Sequence, residues 1–424
     1  MAAAQGNRGT IRADTLDNGM QVVTEAMPDA HSVTVGFWVD AGSRDETPPE
    51  AGASHFLEHL LFKGTEERSA HSIAEDIEAV GGDMNAFTTK EYTAFYTRLI
   101  DEDLELGLDI LSDIMWAPAF RPEEIEAERQ VILEEINMHE DEPSDLVHEL
   151  LHEALYPGHP LGKEVLGERS TITAMTRDQI ANYFTTRYKP PGIVVAASGN
   201  LDHDSVVAGI DRRCVAKPGT APLRERPALA PVRPLIVQHR GTEQAHIVVG
   251  MRSLDRSDDD RFALSVLNQI LGGGMSSRLF QEIREKRGLV YSVFSYRAAY
   301  LESGVLAVYA GTAPGRAQDV LALIDDELDK LATGPITDRE LAVAKGHIKG
   351  SLALSLEDPS GRMNRIGRGQ LIHGEVLTFE EVVARTEAVT HDDLRRVADK
   401  VFGNKRVLAV VGPFSEDDFA ERVA

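Results

Sequence analysis

Stretches in which hydrophobic and polar residues alternate lie at the same relative place in the two halves of the chain. Residues 31–40 (HSVTVGFWVD) and 245–251 (AHIVVGM) show this period of two, which predicts β-strands. In each half an acidic loop and a helical stretch follow the strand, and an apolar run ending in glycine closes the half. These runs are residues 193–199 and 407–412. The repeated order predicts a tandem duplication of a domain of about 200 residues.

The segment between the halves, residues 217–234, carries five prolines and predicts an extended linker, because proline interrupts helices and central strands. We therefore predict a disordered tail at 1–10, an N-terminal domain at 11–216 and a C-terminal domain at 235–424. Sheets and helices are mixed within each half, which predicts the α+β class, with a mostly antiparallel sheet packed by helices. Similar helix-start signals occur in both halves, at residues 142–145 (EPSD) and 358–361 (DPSG).

Composition narrows the class of protein. Hydrophobic residues make up 42% and charged residues 27% of the 424 residues, as in folded globular proteins. A formal net charge of −25 argues against nucleic acid and anionic membranes as partners. This charge would favour cationic substrates if it lined a cavity, and solubility is an equally good interpretation. The single cysteine, Cys214, excludes an internal disulfide, and the lack of a signal-peptide or membrane-length apolar run favours a cytoplasmic location.

The most specific chemical signal is the pentapeptide from His55 to His59, with the pattern H-x-x-E-H. On a helix, residues four apart lie one turn above each other, so His55 and His59 would face the same ion. Glu58 stays beside that ion. Two imidazoles that leave a position open for water, with a carboxylate as base, are the components of a hydrolytic zinc site. The alternative is a charged, solvated helix face.

A zinc site of this kind needs a third protein ligand, and residues 127–136 offer the best source. Glu128 and Glu135 are two helical turns apart and share a face, whereas Glu134 is rotated by about 100° from that face. We predict Glu135 as the ligand and Glu128 as its neighbour. Spacing alone leaves open which of the two contacts the metal.

The duplication provides a test of this assignment. A shift of 216 residues superposes the two helix-start signals and places Ser351 opposite Glu135 and Ala344 opposite Glu128. The second half also contains no H-x-x-E-H pattern. Residues that the fold itself required would tend to recur in both copies. Their presence in one copy only indicates a chemical role.

A second histidine pair, His148 and His152, forms the pattern H-E-x-x-H with Glu149. It has the same spacing as the first pair and is a rival metal site. A metzincin would need glycine at position 155 and histidine at 158, where this chain has Leu155 and Gly158. We interpret this segment as a partly exposed helix face.

Three segments together resemble the inverzincin metallopeptidases, a family that includes pitrilysin, insulin-degrading enzyme and the β-subunit of mitochondrial processing peptidase. They are residues 55–64 (HFLEHLLFKG), 82–88 (GDMNAFT) and 128–135 (ERQVILEE). Their order and spacing agree with the family, and the chain length is similar to its short, two-domain members.

The resemblance implies a role for each candidate residue. It implies one zinc ion per chain, bound by His55, His59 and Glu135, with Glu58 as general base and Glu128 as support. It also implies an edge strand that pairs with substrate backbone, at Asn85, Ala86 and Phe87. A buried core strand is the alternative for Phe87. In the second half, the resemblance implies that Arg284 and Tyr291 reach the scissile region and stabilise the oxyanion, whereas without it these two would be surface and core residues.

The sequence thus predicts a zinc endopeptidase that cuts extended or unfolded peptides, targeting peptides included. By resemblance, two domains form half of a clamshell, so we expect a homodimer, or a heterodimer with a related subunit. Two alternatives remain: a noncatalytic assembly subunit of the same fold, and a module that binds peptides without cutting them.

Overall fold

The computed structural model of the protein describes residues 10–215 and 219–423. The predicted tail therefore lies almost wholly outside the described residues, as does the start of the predicted linker. The described part of that linker, residues 219–234, contains neither helix nor strand. Contacts divide the chain into two compact units. Of the described residues, the first unit contains those up to Ile136, those within 164–225 and Leu354–Leu377; the second contains Asn137–Lys163, Arg226–Ala353 and those from Thr378 onward.

The first unit contains a six-stranded sheet. Its strands are β1 (Thr10–Thr15), β2 (Gln21–Ala26), β3 (Ser32–Val39), β4 (Asp83–Thr88), β5 (Thr93–Ile100) and β6 (Ile193–Gly199). Their order across the sheet is β1-β2-β6-β3-β5-β4. All neighbours are antiparallel except β2 and β6, which are parallel.

The second unit contains a five-stranded sheet. Its strands are β7 (Leu235–His239), β8 (Ala245–Ser253), β9 (Val290–Ala299), β10 (Gly304–Thr312) and β11 (Val407–Gly412). Their order is β7-β11-β8-β10-β9, and only β7 and β11 are parallel. This order and these directions repeat β2-β6-β3-β5-β4, so the predicted α+β duplication with mostly antiparallel sheets is confirmed.

Helices fill most of the remaining chain. They are α1 (Ala53–Leu60), α2 (Ala70–Ala79), α3 (Leu104–Trp116), α4 (Pro122–Glu140), α5 (Pro143–Leu155), α6 (Arg169–Ala174), α7 (Arg177–Arg187), α8 (His203–Arg213), α9 (Arg261–Gly272), α10 (Ala317–Thr333), α11 (Asp338–Ser355), α12 (Pro359–His373), α13 (Phe379–Glu387), α14 (His391–Phe402) and α15 (Ala420–Val423). No helix in the described ranges is both long and apolar enough to cross a bilayer.

The first sheet has two different faces because β3 alternates. Val35 and Phe37 point into the main core, which is shared with α1, α3 and α7. Trp38 lies on the opposite face and packs with Met363 and Ile366 of α12. Among the residues that the structure describes, α12 is the helix that covers this face.

Glycine and ion pairs fix α12 on the sheet. A Cβ at Gly367 would lie 2.3 Å from Trp38 Nε1, so only glycine allows this approach. Glu25 of β2 is buried and accepts hydrogen bonds from Arg362 (2.6 Å) and Arg365 (3.0 Å) of the same helix. These pairs neutralise a carboxylate that would be costly to bury alone.

The second unit repeats this arrangement with α5. Leu146, Val147 and Leu151 of α5 pack on one face of its sheet, and α9, α10 and α14 share the core on the other face. The units therefore differ from the predicted continuous division at 11–216 and 235–424. The reason is that α5 and α12, the helices that begin at the two repeated helix-start signals, each pack on the sheet formed mainly by the other half of the chain.

Candidate metal centre

The helix predicted around His55 and His59 is present as α1, and its start requires a glycine. Gly52 precedes the helix with φ of 93°, and a Cβ there would lie 2.5 Å from Ile172 Cδ1. Phe56 and Leu57 are fully buried and fix the rotation of the helix. The two imidazole rings consequently lie on one face, with centroids 4.7 Å apart.

Helix α4 brings a carboxylate to both rings. Glu135 Oε2 lies 3.5 Å from His55 Nε2 and 3.5 Å from His59 Nε2. These separations exceed ordinary N–H···O hydrogen bonds. Donors bound to one tetrahedral zinc at about 2.0–2.2 Å would be separated by about 3.4 Å. The three residues therefore fit a zinc ion and leave a fourth position open.

Glu128 lies two helical turns before Glu135 on α4 and contacts the other ring nitrogen of His59. Its Oε2 lies 3.0 Å from His59 Nδ1, and its Oε1 lies 2.7 Å from Lys63 Nζ. An ionised carboxylate only accepts hydrogen bonds, so Nδ1 carries the shared proton, and in the neutral ring Nε2 has the lone pair that a metal would need. This contact prepares His59 for a metal on the Glu135 side.

Burial and these contacts shift the pKa values of the group. Burial and the neighbouring His59 lower the pKa of His55 to about 4, which keeps it neutral. Burial alone would raise the pKa of Glu128, but hydrogen bonds from His59 and Lys63 outweigh it and lower that pKa. Burial alone would lower the pKa of His59, but the hydrogen bond to Glu128 and the charge of Glu135 raise it.

Glu58 lies on the same helix and is tied to strand β4. Burial raises its pKa, and the hydroxyl and backbone N–H of Thr88 beside the carboxylate oppose this shift. A partly desolvated carboxylate with a fixed orientation is suited to proton transfer.

Sequence reasoning missed two supporting residues, Lys63 and Thr88. Lys63 follows His59 by four positions, and this one-turn spacing is a signal that could have linked it to the site. Thr88 directly follows the predicted edge segment. Its contact with Glu58 depends on β4 packing against α1, which no local pattern reveals.

Strand β4, with Asn85, Ala86 and Phe87, is an edge of the first sheet. Among the described residues it pairs only with β5. The Ala86 N–H donates to Asn85 Oδ1 at 2.8 Å, so this amide points away from β5. Phe87 is half-buried against Trp38, and Asn85 is exposed. The strand thus has an outer edge suited to pairing with another chain.

Arg284 and Tyr291 lie in the second unit. The Arg284 guanidinium is 5.2 Å from the centre of the Tyr291 ring and 4.9 Å from that of Phe280. The Tyr291 side chain is 81% exposed, not part of the core. The pair is therefore available to a ligand, and its action at the metal stays a prediction.

The rival histidines are engaged elsewhere. His148 Nδ1 lies 2.7 Å from the hydroxyl of Tyr296. Both nitrogens of His152 have partners, the His148 carbonyl and the Tyr300 hydroxyl, each at 3.0 Å. Glu149 pairs with His139. Since His152 has no nitrogen left for a metal, the H-E-x-x-H pattern is part of a polar network inside the second unit.

The fold and these residues define a two-unit α+β protein with a His-His-Glu cluster of metal-site geometry in its first unit. Residues 21–169 match the family model "Insulinase (Peptidase family M16)", and residues 174–347 match "Peptidase M16 inactive domain". The chain belongs to peptidase family M16. The second model covers much of the half that lacks the H-x-x-E-H pattern.

Several relatives match over nearly the whole chain. The chain is 46% identical to an uncharacterized zinc protease of Streptomyces coelicolor, over 96% of this chain and 91% of that protein. It is 38% identical to an uncharacterized zinc protease of Bacillus subtilis, over 95% and 98%. Relatives named as zinc proteases support zinc at the level of the family.

Solved structures share the fold. A protease from Helicobacter pylori superposes with a TM-score of 0.90 at 24% identity, covering 96% of this chain and all of that one. A peptidase M16 inactive domain from Pseudomonas fluorescens gives 0.88 at 22% identity, covering 96% and 98%. At this identity the likeness concerns the fold alone.

Proposed function

We propose that this protein is a zinc endopeptidase that hydrolyses extended or unfolded peptides. The observation that carries the proposal is the position of Glu135 Oε2, 3.5 Å from the Nε2 atoms of both His55 and His59, with Glu58 on the same helix. This is a donor set for one zinc ion per chain, accompanied by a base.

Each residue has a defined part in the reaction. When bound, zinc supplies a Lewis acid that acidifies water and polarises a carbonyl oxygen. Glu58 removes a proton from the attacking water and returns it to the leaving nitrogen. Thr88 orients Glu58, and Glu128 holds His59 in the tautomer that offers Nε2.

Strand β4 binds the substrate in this proposal. Its outer edge offers backbone groups such as the Ala86 amide, which now donates to the Asn85 side chain. A peptide added there as a further strand is held mainly by its main chain, which explains a tolerance of many sequences. Arg284 and Tyr291 would hold the substrate carbonyl.

The proposal extends to assembly and location. We expect a homodimer, or a heterodimer with a related subunit, and a cytoplasmic location. Light scattering of the pure protein tests the assembly. A molar mass twice that of the chain is expected for the homodimer. A molar mass of one chain would contradict the homodimer.

Turnover of internally quenched peptides by the pure protein tests the activity. We expect cleavage that a chelator abolishes and zinc restores. Peptide binding without cleavage would favour the binding module. Neither binding nor cleavage in a zinc-loaded protein would favour the noncatalytic assembly subunit.

A further inference from the structure

A groove of about 590 Å³ lies within the first unit, on the face of the sheet covered by α12. One wall consists of the aromatic rings of Trp38, Phe87 and Tyr92. The Trp38 ring centre is 5.5 Å from that of Phe87 and 5.6 Å from that of Tyr92. The other wall is a face of α12 with Asn364, Arg365 and Arg368. The groove thus joins an aromatic wall to a basic one.

The basic wall carries more positive charge than its neighbours neutralise. The Glu25 carboxylate is shared between two guanidinium groups, those of Arg362 and Arg365. Arg368 is exposed, and none of the described residues lining the groove bears a carboxylate. In a chain with a net charge of −25, this is a local reversal of sign. It favours an anionic ligand.

Two buried polar atoms at the groove also lack hydrogen-bond partners in the described structure. They are Arg365 Nε and Asn364 Oδ1. A buried donor or acceptor without a partner is uncommon in folded proteins and calls for a ligand or water. A carboxylate would accept from Arg365 Nε and from Arg368, whereas Asn364 Oδ1 is itself an acceptor and calls for a water or an N–H donor of the peptide.

The position of the groove relates it to the edge strand. Met84 and Ala86 of β4 pack on the core side of the sheet. Phe87 projects to the opposite face and forms part of the groove. A peptide paired with the outer edge of β4 would alternate in the same way. Every second side chain would lie on the α12 face, next to Phe87.

We propose that this groove is a specificity subsite that takes an aspartate or glutamate side chain of a peptide bound along β4. The aromatic wall packs on the methylene groups of that side chain, and the arginines pair with its carboxylate. This inference rests on the proposed function, because the substrate strand is the same. It predicts a preference for an acidic residue at one position of the substrate.

Matched quenched peptides that differ only by Glu, Gln or Lys, scanned along the sequence around the cleaved bond, test this subsite. We expect one position at which Glu exceeds Lys in kcat/KM by about tenfold, the size expected of a charge-assisted hydrogen bond. Arg368→Glu should reverse this preference, so that the Lys peptide exceeds the Glu peptide in kcat/KM at that position only. Arg339→Ala, at an exposed arginine of α11 in the second unit, should leave the preference for Glu unchanged. Equal cleavage of Glu and Lys peptides at every position would overturn the subsite, and so would a preference for Glu that Arg368→Glu does not change. Neither result would contradict the proposed peptidase activity.

Fluorescence separates the subsite from catalysis. The chain has two tryptophans, so in a Trp116→Phe background the emission comes from Trp38 in the groove wall. Acidic peptides should change this emission at concentrations where their Gln and Lys counterparts do not, and Arg368→Glu should abolish the change. If that response occurs and no peptide is cleaved, the proposed function fails and the subsite stands. If peptides are cleaved and Trp38 does not distinguish them, the subsite fails.

Discussion

His59 presents its two ring nitrogens to two different carboxylates: Nδ1 lies 3.0 Å from Glu128, and Nε2 lies 3.5 Å from Glu135. Both carboxylates come from α4, seven residues apart on one face. The first distance is a hydrogen bond, and the second suits two ligands of one ion. One helix therefore supplies both a ligand and the group that orients another ligand.

Glu128→Gln should weaken zinc binding by about 10- to 100-fold, because loss of a carboxylate partner alters the tautomer and basicity of a ligating histidine. Competition with a chelator of known affinity measures the change. Glu134→Gln, at an exposed position of the same helix, is the control and should bind zinc like the wild type. Equal zinc affinity of the Glu128→Gln protein and the control would show that this contact does not support the metal.

Thr88→Val should reduce kcat/KM about tenfold through kcat, because it removes the hydroxyl that orients Glu58. Zinc content should stay unchanged. Thr88→Ser retains the hydroxyl and should recover most of the activity. A drop that serine does not rescue would indicate a packing effect of the residue, not orientation of the base.

Gly367→Ala should lower the free energy of unfolding by about 1–3 kcal/mol, since the new methyl group has no space beside Trp38. Gly346→Ala on α11 is the matched control. No heavy atom lies within 4 Å of its added Cβ, so a gain of about 0.5–1 kcal/mol in helix stability is expected. Denaturant unfolding of the three proteins compares them. Equal stability of Gly367→Ala and wild type would argue against this packing of α12.

Asp260→Asn should destabilise the protein near neutral pH by about 1–2 kcal/mol. Hydrogen bonds from Arg396 and Lys400 lower the pKa of the Asp260 carboxyl. A lowered folded-state pKa means that the stabilisation is present above the ordinary carboxyl pKa and is lost as pH falls through the folded value. The difference in stability between the variant and the wild type should therefore become smaller as the pH falls.

Thermal unfolding measured from pH ~7 down to pH ~3 tests this dependence. Asp259→Asn, at the exposed neighbouring position, should show no such trend. A stability difference that stays constant or widens in acid would contradict the role of the ion pairs.

Local patterns were enough to predict the duplicated α+β fold and the helix that carries His55 and His59. Alternation marked β3 and β8, and apolar runs marked β6 and β11, although all four strands are largely buried on both faces. The one-turn spacing of the histidines is a property of the helix itself. These features are encoded within a few residues.

Other features depend on contacts that are distant in sequence. The apolar face of α12 has the same pattern whichever sheet it covers, so its place on the first sheet could not be predicted. Sequence spacing alone could not distinguish the roles of Glu128 and Glu135. Their roles differ because, where α4 approaches α1, Glu128 contacts Nδ1 of His59 and Glu135 lies near Nε2. The contact between Glu58 and Thr88 likewise arises where β4 meets α1.

The most direct test of Glu58 as the base of a zinc peptidase compares Glu58→Gln with the wild type. Zinc content and peptide cleavage are measured on the same samples. Gln has the shape of Glu but cannot accept a proton, and Glu58 is not among the three grouped ligand residues. We predict one zinc per chain in both proteins and a loss of at least ~100-fold in kcat for the variant. A variant that keeps its zinc and cleaves peptides at the wild-type rate would contradict this role of Glu58.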